Sequence, residues 1–374
     1  LMHDQCVYTY TDSSNNKVIL VKYVDDIILT GNSKTLIDQI RLDLGKSFTK
    51  ITFEDQIQRY VGIDIDYKPH EGVLRLSQRP HVEKLINKFS TGRSTSNPTI
   101  PPSSITPINP TYNYRVPGDG TNSPNRDLVG GLRFLADRTH PSLQSACSLL
   151  GSHAHQPSPL HLKGGEQVIK YLTHHKDDFI EFGGDPHLDL FGYADAAHVA
   201  GFDSKSQLGY CFFLNLNSGT IVAKSKKDST VSHSSTEAEI KAIDLAIKEA
   251  IWLRGFLSEL GYPQPKATTI FTDNKAAEIL SNTNNITDLT NHLVLRINYI
   301  HQEQLKGTIK LKWINTENNV ADILTKPLSY IPFHQHNTTL CKGHFGILPT
   351  PATITKRDIN RQKKVKSIGN NNSI

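Results

Sequence analysis

Ser234-Ser235-Thr236-Glu237-Ala238-Glu239 opens the longest regular pattern in the chain, a helix predicted over residues 236–260. Ala238, Ala242, Leu245, Ala246, Ala250 and Leu253 recur on one face at helical spacing, and the three hydroxyls can cap the first turn. Strand-like runs precede it at 188–194, 208–214 and 220–225. Two more, at 268–272 and 308–314, alternate with helical segments after it. The order strand, strand, strand, helix, strand, helix, helix, strand, helix predicts an α/β domain. Its five strands should form a mixed sheet with helices on both faces.

Four carboxylates fall at element ends in this segment. Asp195 ends the first strand, Glu239 lies in the first turn of the long helix, Asp273 ends the fourth strand and Asp322 begins the last helix. Each alone suits a helix cap or a dipole partner. If the first and fourth strands are neighbours, however, all four meet at one sheet edge. Donors that are all oxygen suit hard cations, Mg²⁺ first and Mn²⁺ also. Two such ions roughly 4 Å apart can activate water and stabilise the leaving oxygen in phosphodiester cleavage, without a nucleophilic side chain.

Upstream, the apolar runs 18–24 and 27–30 meet at Asp25-Asp26 and predict a hairpin. Adjacent acids at a tight turn are locally unfavourable unless a metal offsets them. Asp25 is then the principal ligand, with Asp26 beside it. A helix carrying Leu36, Ile37, Ile40 and Leu44 comes next, then strands at 60–66 and 73–76 and a helix at 81–89 behind Pro80. Seven prolines between Ser90 and Asn125 predict a linker. The expected organisation is an α+β fragment at 1–90, a linker at 91–126, a helical connection at 127–187, the mixed-sheet domain at 188–330 and a basic, disordered tail at 331–374.

The net charge of +5 over 374 residues belongs to that tail, where seven Lys/Arg face one Asp. Such a tail suits either nucleic acid or solvent. The four cysteines form no CxxC pair, which excludes a disulfide scaffold or zinc finger and fits a reducing, intracellular setting. No apolar run reaches the roughly 18 residues of a membrane span. Leu1 stands almost at the start of a strand pattern, and truncation upstream is expected. His153, His155, His161, His174 and His175 lack zinc-site spacing, Gly164-Gly165 lacks the lysine of a phosphate loop, and Trp252 and Trp313 are expected in the core.

Tyr193-Ala194-Asp195-Ala196, Ser234 to Glu239, Phe271-Thr272-Asp273-Asn274 and Ala321-Asp322-Ile323-Leu324-Thr325-Lys326-Pro327-Leu328 together resemble the ribonuclease H domain of copia-type (Pseudoviridae) retrotransposon Pol polyproteins. Tyr23-Val24-Asp25-Asp26, Tyr60 to Ile65, Leu76 to Leu85 and Leu128 to Leu132 resemble the reverse-transcriptase palm and the segment C-terminal to it in the same family. The resemblance covers about 18–328. It implies that Asp195, Glu239, Asp273 and Asp322 hold two Mg²⁺ ions and cut the RNA strand of an RNA–DNA hybrid. It also implies that Glu237 faces elsewhere and that the remaining Pol segments are partners. Ala197 and His198 replace a second Asp and an aromatic of the family pattern, and the basic residue before His292 is lost. Those departures concern substrate grip, for which Lys224, Lys226, Lys227 and His292 are the weaker candidates. Polymerisation needs a third carboxylate and fingers from upstream of the hairpin, so it is expected only within a longer polyprotein. An inactive or co-opted remnant is the alternative reading. An ATPase of the actin and sugar-kinase type would need glycine-rich phosphate hairpins, which the sequence lacks.

Overall fold

The computed structural model describes residues 1–90, 124–155, 157, 159–183, 187–198, 204–282 and 293–345. The expected linker up to residue 123, His292 and the last part of the basic tail lie outside them.

The N-terminal fragment begins with β1 (Val7–Thr11), β2 (Lys17–Tyr23) and β3 (Asp26–Gly31), an antiparallel sheet in that order. Tyr23 pairs with Asp26, so the hairpin turn is Val24-Asp25 and Asp26 already belongs to the strand. Strain expected at the two acids falls instead on Val24, a β-branched residue held at φ 54°. α1 (Lys34–Ser47) comes next, its first turn capped by Ser33, whose hydroxyl accepts from the Leu36 N–H.

The strand expected at 60–66 is two strands. Val61 and Gly62 both take positive φ and turn the chain between β4 (Arg59–Tyr60) and β5 (Ile63–Lys68). β5 pairs with β6 (Val73–Ser77), and α2 (Arg79–Phe89) carries Pro80 in its first turn. β6 then pairs with β7 (Phe179–Gly183), a strand the sequence reading missed. Arg75 and Glu181 cross that junction, 2.7 Å apart.

Between them run α3 (Pro124–Ala136), a 3₁₀ turn at Pro141–Leu143, α4 (Gln144–Ser152) and α5 (Pro159–His174). The last of the expected linker residues therefore open α3.

The second sheet contains β8 (Phe191–Ala197), β9 (Lys205–Phe213), β10 (Val222–Val231), β11 (Thr268–Thr272) and β12 (Ile309–Trp313), in the order β10-β9-β8-β11-β12. β9 runs antiparallel to both its neighbours, while β11 is parallel to β8 and β12. This is the mixed ribonuclease H-like sheet expected, with its first and fourth strands adjacent. One face packs Ala194, Phe212 and Ile270 against α6 (Ser235–Glu259) and α8 (Val294–Leu305). The opposite face packs Tyr193, Cys211 and Phe213 against a core shared with α2 to α5. α7 (Lys275–Asn282) and the single-turn α9 (Asp322–Thr325) complete the edge where the acids lie.

The tail is a correction. Residues 330–342 form α10 (Tyr330–Lys342), which buries Phe333, His336, Asn337, Leu340 and Cys341. That face repeats at 333, 336–337 and 340–341, a helical spacing masked by its polar members. The tryptophans also differ from expectation, Trp313 being 45% and Trp252 40% exposed. Trp252 stacks on Phe256 along the outer side of α6, with ring centroids 5.1 Å apart. No helix among the described residues is long and apolar enough to cross a membrane.

Candidate functional site

Asp195 sits inside β8, two residues before its end, and is buried. Its cross-strand partner is Gly209. A Cβ on that glycine would stand 2.7 Å from Thr325 Cγ2 and 2.9 Å from Leu324 Cβ, so only glycine lets α9 lie this close. The approach brings the Thr325 hydroxyl to donate to Asp195 Oδ2. Asn319 Nδ2 ties the turn before α9 to the Ala194 carbonyl, 3.2 Å away.

Glu239 is the fifth residue of α6, just beyond a first turn that Ser234 and Glu237 fix. The Glu237 N–H donates to Ser234 Oγ at 3.1 Å, and Glu237 Oε2 accepts from the His233 N–H at 2.7 Å. Asp273 lies just after β11 on a short loop clamped by the end of β12. Trp313 Nε1 donates to its carbonyl at 3.1 Å and Thr316 Oγ1 to its Oδ2 at 2.7 Å. Asn274 caps α7 behind it, its Oδ1 accepting from the Ala277 N–H.

These elements bring carboxylate oxygens of Asp195, Glu239 and Asp273 within 4.8 Å of one another. Asp322 stands beside that triad, outside the group whose oxygens meet within 4.8 Å. It borders Asp195, and its buried Oδ1 lies 2.8 Å from Lys326 Nζ, an ion-pair distance without the alignment of a hydrogen bond. Burial pushes the carboxyls of Asp195, Glu239 and Asp322 above their ordinary range. Neighbouring acids add to this: Asp195 and Asp273 raise Glu239, and Asp195 raises Asp322. For Asp195 the charge of Lys326 and the Thr325 hydroxyl work against the rise.

Glu239 Oε2 is buried without a hydrogen-bond partner, in a cluster of acids that repel one another. A divalent cation among three carboxylates removes both penalties, and the all-oxygen donor set suits a hard one. The residues present fit such an ion. Because Thr316 holds the outer oxygen of Asp273, Thr316→Val should weaken divalent-ion binding by about 10-fold to 100-fold, with Thr316→Ser retaining it. Calorimetric titration of the folded variants checks this.

The sequence reading missed Lys241. Its buried ammonium lies 2.9 Å from Glu237 Oε1 and 3.0 Å from Asp228 Oδ2, with Thr230 Oγ1 and Ser232 Oγ each at 3.0 Å. Glu237 thus faces away from the triad, as expected, but into an ion cluster. The Glu237/Lys241 spacing of one helical turn was the available signal.

The other candidates are dispersed. Asp25 and Asp26 are exposed on the hairpin, apart from the triad. Among the described residues, no third acid joins them in a metal-sized group. Lys224 is ion-paired with Asp137 at 2.9 Å, next to the connection helices, and Lys226 is exposed on the same strand. Lys227 is half-buried there. His153 and His161 stack at 3.9 Å and belong to no such group among the described residues.

The family model for reverse transcriptase (RNA-dependent DNA polymerase) matches residues 3–103. The retrovirus-related Pol polyprotein from transposon TNT 1-94 of Nicotiana tabacum is 31% identical over 347 residues, 92% of this chain and 25% of the relative. The corresponding polyprotein from transposon RE1 of Arabidopsis thaliana is 30% identical over 319 residues, 84% of this chain and 21% of the relative. The chain therefore spans about a quarter of the length of these relatives. Among solved structures, LC11-RNase H1 isolated from compost covers 37% of this chain and is itself 92% covered, at 15% identity and a TM-score of 0.30. With the reverse-transcriptase match at its start and relatives at 30–31% identity aligned along 84–92% of its length, this chain belongs to the copia-type retrotransposon Pol family.

Proposed function

We propose that this chain cleaves the RNA strand of RNA–DNA hybrids in a Mg²⁺-dependent reaction, as the ribonuclease H part of a retrotransposon polyprotein. The observation that supports this most is the buried triad Asp195, Glu239 and Asp273, with the Glu239 Oε2 atom lacking any partner. When bound there, a divalent ion supplies Lewis-acid activation of water and charge for the leaving oxygen. The chain's own residues do the positioning. Thr325 orients Asp195, Thr316 and Trp313 hold the Asp273 loop, and the Ser234 cap fixes the start of the helix bearing Glu239. The hybrid would be recognised by backbone shape and 2′-OH groups instead of base sequence.

The Asp25-Asp26 hairpin lies in the segment that matches reverse transcriptase, and in this reading it serves RNA-directed DNA synthesis within the polyprotein. The test is cleavage of an RNA–DNA hybrid labelled on the RNA strand, in Mg²⁺ and in Mn²⁺, comparing wild type with Asp273→Asn. RNA cutting that the substitution abolishes supports the reading. Hybrid binding without cutting, by folded wild type in both metals, points to an inactive remnant.

A further inference from the structure

Lys326 has no role in the proposed cleavage, yet its charge acts on Asp195, Glu239 and Asp322 alike. It comes directly after the single turn of α9 and reaches back to that turn's first residue twice. Its backbone N–H donates to the Asp322 carbonyl at 3.2 Å, and its Nζ lies 2.8 Å from Asp322 Oδ1. α9 itself is anchored on both sides. The Ser225 hydroxyl donates to the Leu324 carbonyl and the Thr325 hydroxyl to Asp195, while Ile323 and Leu324 are fully buried. The ammonium is thus held by a rigid turn.

We infer that Lys326 is a built-in counter-cation of this centre: with its ammonium on Asp322, the chain without substrate takes one divalent ion, at Asp195, Glu239 and Asp273, and Asp322 is withheld from a second. The inference rests on the triad being a divalent-ion site, as in the proposed function. Charge sets the stoichiometry. One divalent ion and the ammonium leave the four acids with a single net negative charge. A second divalent ion beside the ammonium makes the cluster net positive, a state that a buried site sustains only with an added anion such as a substrate phosphate, or after Lys326 withdraws. Removing the ammonium therefore frees Asp322 as a ligand and removes the repulsion at once.

The experiment is Mn²⁺ binding to the full chain without nucleic acid, with free Mn²⁺ monitored by electron paramagnetic resonance. Wild type, Lys326→Met, Lys326→Gln, Lys326→Arg and Asp273→Asn are compared, and a melting curve confirms that each is folded. Wild type and Lys326→Arg should bind one ion. Lys326→Met and Lys326→Gln should bind two, the second at least about tenfold more tightly than wild type binds any second ion. Two equivalent ions in wild type, or one ion in both neutral variants, would overturn the role of Lys326. If Asp273→Asn binds as wild type does, or no folded variant binds Mn²⁺, the triad reading fails first. Loss of the single ion in Asp273→Asn with unchanged stoichiometry at Lys326 sinks only the inference.

Discussion

Glu239→Gln should make the metal-free protein more stable while abolishing its metal response. Glu239 is buried, lacks a partner at Oε2 and faces two further acids, so its carboxyl is held above the ordinary range. The sign comes from linkage. A carboxyl raised in the folded state contributes stability that is fully present below its unfolded value, and this is lost as the pH rises towards the folded value. Glutamine keeps the shape without the proton equilibrium. The variant should therefore match wild type near pH 4 and exceed it increasingly towards pH 8, by on the order of 1–3 kcal/mol. With saturating divalent ion the order reverses, because wild type gains binding energy that the variant lacks. Hybrid cleavage should fall by on the order of 10²-fold to 10³-fold or more. Paired melting curves with and without Mg²⁺ at pH 5 and pH 8 decide the matter. A Glu239→Gln protein that is less stable than wild type in chelator at pH 8 would show that the buried carboxylate is satisfied by the protein alone.

Lys241→Met carries the second large effect, on stability. The ammonium is the shared partner of Asp228 and Glu237, all three nearly inaccessible to solvent. Asp228 is held below its usual range: hydrogen bonds from the Thr230 N–H and from Lys241 outweigh burial, which works the other way. Removing the lysine leaves two buried carboxylates facing each other. The cost of breaking such a pair is about 3–5 kcal/mol, or roughly 6–15 °C in melting temperature. The triple substitution Lys241→Met with Asp228→Asn and Glu237→Gln should recover most of it, since neutral groups carry no such charge penalty. Chemical denaturation of wild type and both variants measures this. A loss below about 1 kcal/mol for Lys241→Met would mean that the acids reach solvent once the lysine is gone. Because Glu239 lies between Glu237 and Lys241 on one turn, the substitution should also loosen divalent-ion binding.

What could be read beforehand was what neighbouring residues settle among themselves. The α6 stripe, the Ser234 cap, Pro80 at the head of α2 and the β8-to-β12 runs are local signals, and they yielded five strands in a mixed sheet. The meeting of Asp195, Glu239, Asp273 and Asp322 was expected on the condition that the first and fourth strands are neighbours, as they are. The features that escaped depend on distant partners. β7 is five residues whose strand character is completed by β6, far back in the chain. α10 buries a His, an Asn and a Thr alongside Phe333 and Leu340, so its apolar period is too weak to read without the sheet it covers. Trp313 was expected inside because it sits in a strand pattern, but it ends the edge strand, where one side lies open. Asp322 was placed with the other three by its position at an element end; the ammonium four residues later, which lies against it, was in the same stretch and went unweighed.

The pairing of β6 with β7 also has a kinetic side. The N-terminal strands β4 to β6 wait for a partner about a hundred residues later, as the Arg75–Glu181 separation of 106 positions shows. Closing so long a loop is entropically slow, and contacts this distant retard the search for the native topology. During synthesis, β6 would leave the ribosome with an unpaired edge, exposed to other chains until α3 to α5 and then β7 emerge. The order of synthesis thus makes the helical connection the step on which productive folding of the N-terminal strands, and their escape from aggregation, depends.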